Sequence, residues 1–323
     1  MWFDDLTGFV EQTGTAGAAE VRRNISVEAN QMTMWSLGRT RTCGHLETPS
    51  LASLRERVRT LPSPTDPKRR TSLREVVADV QALHAAPANA GALFQVASQF
   101  NLLEMVSPDV GPSDGITGYA YDRTQGPACA IACGAGTIYR NYFAPVNGEL
   151  GQSEHNQIDC LADLGSQLGN HGNRLWQMRN GYALLTGDVP AEVPATHGQL
   201  AIGLHLDTEV TLDDAGHLVS QAYCSALPIA YSRVAAEAVE PLARMVLAST
   251  YEATLAAAVI NAARPQGSPT VFLTLVGGGV FGNPLPWILD AIERAVACFP
   301  DVALDIAIVS FGGTNPQLST LLS

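Results

Sequence analysis

The sequence predicts an α/β fold of three layers, a mixed, mostly parallel sheet with helices on both faces, preceded by a small N-terminal extension. Three observations carry this. Residues 271–276, interrupted only by Thr274, and 306–309 are apolar runs of strand length, the pattern of strands buried on both faces. Residues 237–263 place apolar side chains at 239, 242, 246 and 255, the spacing of a long helix with a buried stripe. From residue 73 onward, strand-like and helix-like segments alternate, as parallel strands joined by helical crossovers do.

Taken in order, residues 23–29 and 31–37 read as strand pieces around a turn at Asn30, followed by a short helix over 51–58. Pro62, Pro64 and Pro67 with Lys68, Arg69 and Arg70 read as a linker. The expected division is therefore an extension over 1–66 and a main domain over 67–323. In that domain 73–78 and 93–98 read as strands, with a short helix or turn over 80–84 between them. The small-residue stretch 124–139 is helix-capable, and 158–168 is a plausible helix in the otherwise unpatterned region 141–200. Strands over 201–206 and 218–224 precede the long helix, which Pro265, Gly267 and Pro269 end. The strand 271–276, a glycine loop, a helix over 287–297 and a last strand over 304–310 complete the pattern.

Composition excludes several function classes. The formal charge is −12 and Lys68 is the single lysine, which argues against a nucleic-acid partner, since phosphate neutralisation needs Lys and Arg. No unbroken apolar run is long enough to cross a bilayer, so no membrane partner is expected. Met1-Trp2-Phe3-Asp4-Asp5 is acidic where a secretory signal is basic, and a cytoplasmic location is the expectation. The six cysteines are scattered without a CxxC pair, and the histidines lack ligand spacing, so neither a metal nor any other cofactor is expected.

The strongest chemical signal is the strand 271–276 running into Gly277-Gly278-Gly279-Val280-Phe281-Gly282-Asn283-Pro284 and then a helix. Such a junction leaves unpaired N–H groups beyond the carboxyl edge of the sheet, where anionic ligands bind. Glycines let the backbone approach the ligand. The loop has no following Lys-Ser/Thr, so it is not a P-loop, and a phosphorylated ligand would be held by backbone and helix ends instead of a lysine.

At these residues the chain resembles the macrodomain family. Val280-Phe281-Gly282-Asn283-Pro284 is similar to the family's second phosphate loop, which wraps a diphosphate and the distal ribose. Val76-Val77-Ala78-Asp79-Val80 resembles the end of its first strand, with Ala for the usual Gly, and implies that Asp79 accepts the adenine amino group. The stretch 93–103 resembles its asparagine-bearing strand and implies that Asn101 contacts the distal ribose. Asp122 to Ala128 stands where the family has a glycine-rich loop opening a helix, although the glycine run is missing. There Thr124 or Asp122 could cap the helix, and Gln125, Gly126 and Pro127 would touch the ligand. The segments 89–101 and 122–129 look more specifically like bacterial-effector macrodomains that hydrolyse ADP-ribosyl-arginine.

The resemblance implies ADP-ribose or an ADP-ribosylated protein as partner, and removal of ADP-ribose from a modified side chain, arginine first, as activity. Cleavage at C1″ builds oxocarbenium-like charge and needs a carboxylate to orient water and a proton for the leaving group. The candidate acids are Asp122, as base or distal-ribose anchor, then Asp114, then Glu104. Phe281 could pack on the distal ribose or anchor its own loop, and Phe311 could face adenine or join the core. Gln157 to Cys160 and Gln221 to Cys224 are further candidates for lining the site, without an assigned mechanism. A non-catalytic ADP-ribose reader and a hydrolase of a free NAD-derived nucleotide are the alternatives.

Overall fold

The computed structural model describes residues 1–62, 70–187, 189, 192–232 and 234–322. Pro64, Pro67, Lys68 and Arg69 of the expected linker lie outside the described residues. Seven strands form the central sheet: β1 His45–Glu47, β2 Ser72–Val77, β3 Leu93–Ala97, β4 Gly203–Glu209, β5 Leu218–Cys224, β6 Thr270–Leu273 and β7 Asp305–Ser310. Their spatial order is β1-β4-β5-β3-β6-β7-β2. The pairs from β5 through β3, β6 and β7 to β2 are parallel, whereas β1–β4 and β4–β5 are antiparallel. The sheet is thus mixed and mostly parallel.

Alternation along β5 shows how both faces are covered. Gln221 and Tyr223 point to one side, where Gln221 donates to the Cys129 carbonyl of helix α3 (Gln125–Ala132) and Tyr223 meets Arg140 of helix α4 (Gly134–Tyr142). Ser220 and Cys224 point to the other, where they meet Asn261 and Thr254 of helix α5 (Ala236–Ala262). Helix α5 is long and apolar enough by length and composition to cross a membrane, although polar residues interrupt its apolar run. In this fold most of its apolar stretch is buried among the sheet, helix α6 (Leu285–Ala297) and helix α1 (Leu51–Thr60), the helix Val80–Ala85 being α2.

Several elements differ from the sequence expectation for physical reasons. The stretch 124–139 is two helices, because Thr211 reaches into the joint at Cys133. Its N–H donates to the Ala132 carbonyl and its hydroxyl accepts from the Gly134 N–H, both at 2.9 Å. The expected helix over 158–168 is confined to Ala162–Leu168, since the Asp159 carboxylate takes the Leu161 N–H in a turn. The strand expected over 271–276 ends at Leu273, and the segment beyond it is held by Tyr251 of α5. That buried hydroxyl donates to the Thr274 carbonyl at 2.7 Å and accepts from the Val276 N–H at 2.9 Å.

Residues before the linker contribute to two places. His45–Glu47 pairs with β4 as an edge strand of the main sheet. Helices Trp2–Thr7 and Gly14–Asn24 and the meander Ile25–Glu28, Gln31–Met34, Arg39–Thr42 build a second apolar core against residues 103–143. Arg41 and the Thr42 N–H both bind the Glu209 carboxylate at the end of β4.

Tyr251→Phe removes one hydroxyl that serves two buried backbone groups, and it is expected to lower unfolding free energy by about 1–3 kcal/mol. Urea unfolding measures this. A loss below about 0.5 kcal/mol would mean the segment 274–276 holds itself.

Candidate functional site

The parallel strands deliver five segments to one edge of the sheet: 78–81 after β2, 98–127 after β3, 225–231 after β5, 274–284 after β6 and 311–315 after β7. Between them lie two adjoining lobes, one of about 960 Å³ and one of about 580 Å³. Asp122, Arg123, Thr124, Gln125, Thr274 and Leu275 border both. The carboxyl edge of a parallel sheet is where such folds bind ligands, because loops diverge there and helix N-termini face outward.

One wall is built from 122–127. Gln125 acts as an extra strand residue: its Oε1 accepts from the Ala97 N–H at 2.9 Å and its Nε2 donates to the Gln95 carbonyl at 2.8 Å. Gly126 then passes so close to β3 that a Cβ there would stand 1.9 Å from the Ala97 carbonyl oxygen. Of the two possible caps, Thr124 makes no side-chain cap bond, and Asp122 accepts from the Thr124 N–H at 2.8 Å. Asp122 stays partly exposed on the border of both lobes, and Gln125, Gly126 and Pro127 line the larger one. The first-turn N–H groups of α3 have no partners within the helix.

The facing wall is the glycine loop. Gly279, Val280 and Phe281 line the larger lobe, while Gly278, Gly282 and Asn283 do not and shape the loop from behind. Asn283 is buried and donates to the Leu227 carbonyl at 2.9 Å, and its own N–H returns to the Gly277 carbonyl. Gly282 has φ +74°, and a Cβ there would lie 3.0 Å from that of Ala230. Phe281 lines the lobe and anchors the loop against the rings of Tyr182 and Tyr231 at 5.4 and 5.9 Å. Phe311 is 83% exposed at the smaller lobe, where Asp79 also lies. Asp79 caps the helix Val80–Ala85 through the Gln81 N–H at 2.7 Å.

Of the remaining predicted residues only Glu104 borders the cleft, and none offers an exposed side chain to it. Asn101 is fully buried, donating to Gln157 at 2.9 Å and accepting from the Leu103 N–H, and lines neither lobe. Asp114 is exposed elsewhere and accepts from the Gly111 N–H. Residues 157–160 and 221–224 also stand outside both linings. Glu104 lies under the floor of the larger lobe with its side chain sealed from solvent. There its two carboxylate oxygens are each 3.3 Å from Arg140 Nη2, and its N–H donates to the Tyr119 hydroxyl at 2.9 Å. Burial pushes the Glu104 carboxyl up to about 7, against the opposing pull of Arg140 and Tyr119.

The Arg140 guanidinium also donates to the Leu102 carbonyl and the Tyr223 hydroxyl; Tyr223 donates to Gln221, and Gln221 Nε2 meets His84 Nε2 at 3.1 Å. Burial drives His84 down to about 4 and His205 to about 3, so both are neutral packing residues at neutral pH. Among the described residues no group of three or more His, Cys, Asp or Glu is placed to hold a metal ion. Sequence reasoning missed Tyr121, Tyr182 and Tyr231 of the lining, and Arg140, which joins Glu104 to Tyr223 and Gln221. Isolated tyrosines carry no periodic signal, and Tyr182 comes from the region the pattern left unread.

No protein-family model matches the chain, and no curated protein matches it. Solved structures similar to it include poly(ADP-ribose) glycohydrolases. That of Thermomonospora curvata is 14% identical, with 93% of each chain covered and a TM-score of 0.43. That of Deinococcus radiodurans in complex with ADP-ribose is 14% identical, with 94% of each chain covered and a TM-score of 0.44. The apo form of the Deinococcus enzyme is 14% identical, with 97% of this chain and 99% of that chain covered and a TM-score of 0.41.

Because Glu104 titrates higher folded than unfolded, its contribution to stability is present below the ordinary glutamate value of 4.5 and is lost as pH rises through about 7. Relative to Glu104→Gln, the wild type should therefore lose stability over that window, which denaturant unfolding at stepped pH measures. A pH-independent difference would mean that the carboxyl ionises as freely folded as unfolded.

Proposed function

We propose that this protein is an ADP-ribosyl hydrolase that frees ADP-ribose from a modified protein side chain, with arginine the foremost linkage. The observation that carries the reading is one shared cleft: 122–127 and 279–281 face each other across the larger lobe, with a partly exposed carboxylate, Asp122, between its two parts. Among the described residues no lysine lines either lobe and Arg123 borders both, so backbone N–H groups and the α3 N-terminus, with the Arg123 guanidinium, would carry the pyrophosphate. Adenine would occupy the smaller lobe, with Asp79 for its amino group and Phe311 for its ring. The distal ribose would lie toward Phe281, Tyr182 and Tyr231, whose π-faces also suit a cationic guanidinium leaving group.

In the reaction Asp122 orients a water molecule toward C1″. The C1″–N bond breaks, the water oxygen joins C1″, and its proton passes to the departing nitrogen. Asp114, away from the cleft, and Glu104, sealed below it, have no direct part in this scheme. The reader alternative draws on the same fact, that Asp122 alone among the described lining acids of the larger lobe offers its carboxylate.

Asp122→Ala should reduce release of ADP-ribose from ADP-ribosylated arginine by about 10²–10⁴-fold while leaving the Kd for free ADP-ribose within a few-fold. Gly282→Val, which strains a left-handed backbone and crowds Ala230, should weaken ADP-ribose binding instead. Wild-type turnover by Asp122→Ala would remove that residue from the mechanism. Binding without release from arginine, glutamate or serine linkages would establish the reader.

A further inference from the structure

The helical turn Thr117–Tyr121 stands between the two lobes and runs directly into Asp122. Gly118 and Tyr121 border the larger lobe, Tyr119 and Ala120 the smaller. Tyr119 is its one buried residue, pinned to the Glu104 N–H, and the Asp122 N–H closes onto the Tyr119 carbonyl at 3.2 Å. The beginning of the turn has no cap of its own, since the residue at the cap position is Ile116. A helical turn starting on isoleucine leaves its first N–H groups without a side-chain acceptor.

That acceptor comes from more than a hundred residues earlier. Oε2 of Glu11 accepts from the Ile116 N–H at 2.9 Å and from the Thr117 N–H at 2.7 Å. Oε1 accepts from the Tyr142 hydroxyl at 2.5 Å, which fixes the carboxylate's orientation. Gly115, with φ +81°, makes room: a Cβ there would lie 2.6 Å from Oε2. The N-terminal helix adds a second contact, as the Tyr121 hydroxyl lies 3.2 Å from Met1 Sδ. Phe3, Val21 and Ile25 share one apolar core with Ile116, Tyr119 and Tyr142.

We propose that Glu11 is a positioning residue that caps this turn in place of Ile116, and that the N-terminal segment buttresses the wall carrying Asp122. The kinetic part of the inference rests on the hydrolase reading; the mechanical part does not. Charge-assisted bonds to backbone N–H groups are among the stronger ones, so one carboxylate can set where the turn begins. The three residues after Tyr119 follow from that start, because the Asp122 N–H bonds back into the turn.

The test uses the full chain as wild type, Glu11→Ala and the near-isosteric Glu11→Gln, which keeps one acceptor oxygen and serves if the alanine variant does not fold. Amide hydrogen exchange should speed up roughly ten- to a hundredfold at Ile116 and Thr117 in Glu11→Ala, and the increase should extend to Asp122. Glu11→Gln should fall between. The kcat for ADP-ribosyl-arginine should drop about tenfold with KM within about twofold, as for a misplaced catalytic group. Unchanged exchange at 116 and 117, or an increase that stops short of Asp122, would overturn the proposal, as would a faster exchange with kcat unaltered. If the wild type turns over no linkage, the hydrolase reading fails, and the exchange at Asp122 still decides whether Glu11 sets the turn.

Discussion

The junction between strand β3 and helix α3 governs the cleft. On the side facing β6 the strand's main-chain pairing ends at Phe94, and the Gln125 side-chain amide takes over, bonding to the Ala97 N–H and the Gln95 carbonyl. Gly126 allows the helix start to lie directly on the strand end, at a distance no side chain would fit. These contacts close the connection 98–124 into a loop and return Asp122 to the sheet edge, opposite the glycine loop. A different residue at 125 leaves two buried backbone groups unpaired, and any Cβ at 126 forces helix and strand apart.

Beneath this junction the protein invests in a buried charge. Arg140 and Glu104 are both sealed from solvent, an arrangement that gains little over an apolar core but costs about 3–5 kcal/mol when one partner is removed. Arg140 is surrounded by acceptors: the Leu102 carbonyl, the Tyr223 and Thr137 hydroxyls and the Glu104 carboxylate. Its guanidinium also lies 3.7 Å above the Tyr223 ring centroid. From Tyr223 the hydrogen bonds pass through Gln221 to His84 and the Val80 carbonyl, next to Asp79. One polar network therefore underlies both lobes, from the floor of the larger to the helix cap at the smaller.

Much of the fold was legible because local rules decided it. Apolar runs of strand length marked β6 and β7, and the apolar spacing from 239 to 255 marked the long helix. The glycine loop was readable because Gly277 and Gly282 sit at positive φ, a demand that leaves its trace in residue type. What escaped depends on partners distant in sequence. Asn101 has the residue type expected of a ribose contact, yet Gln157 and the Leu103 N–H use its amide inside the protein. Glu104 and Asp122 look alike as loop acids, and only the placement of Arg140 and Tyr119 separates a sealed carboxyl from an exposed one. Strand His45–Glu47 is too short for a period-two pattern, and the capping of Ile116 by Glu11 has no local signature.

Isothermal titration calorimetry of the intact chain with ADP-ribose, AMP and ribose 5-phosphate tests the central claim, that two backbone-lined walls grip a pyrophosphate without lysine. The account predicts saturable one-site binding of ADP-ribose, with both fragments bound far more weakly because neither spans the walls. No binding of ADP-ribose, or an affinity no greater than that for AMP, would contradict it.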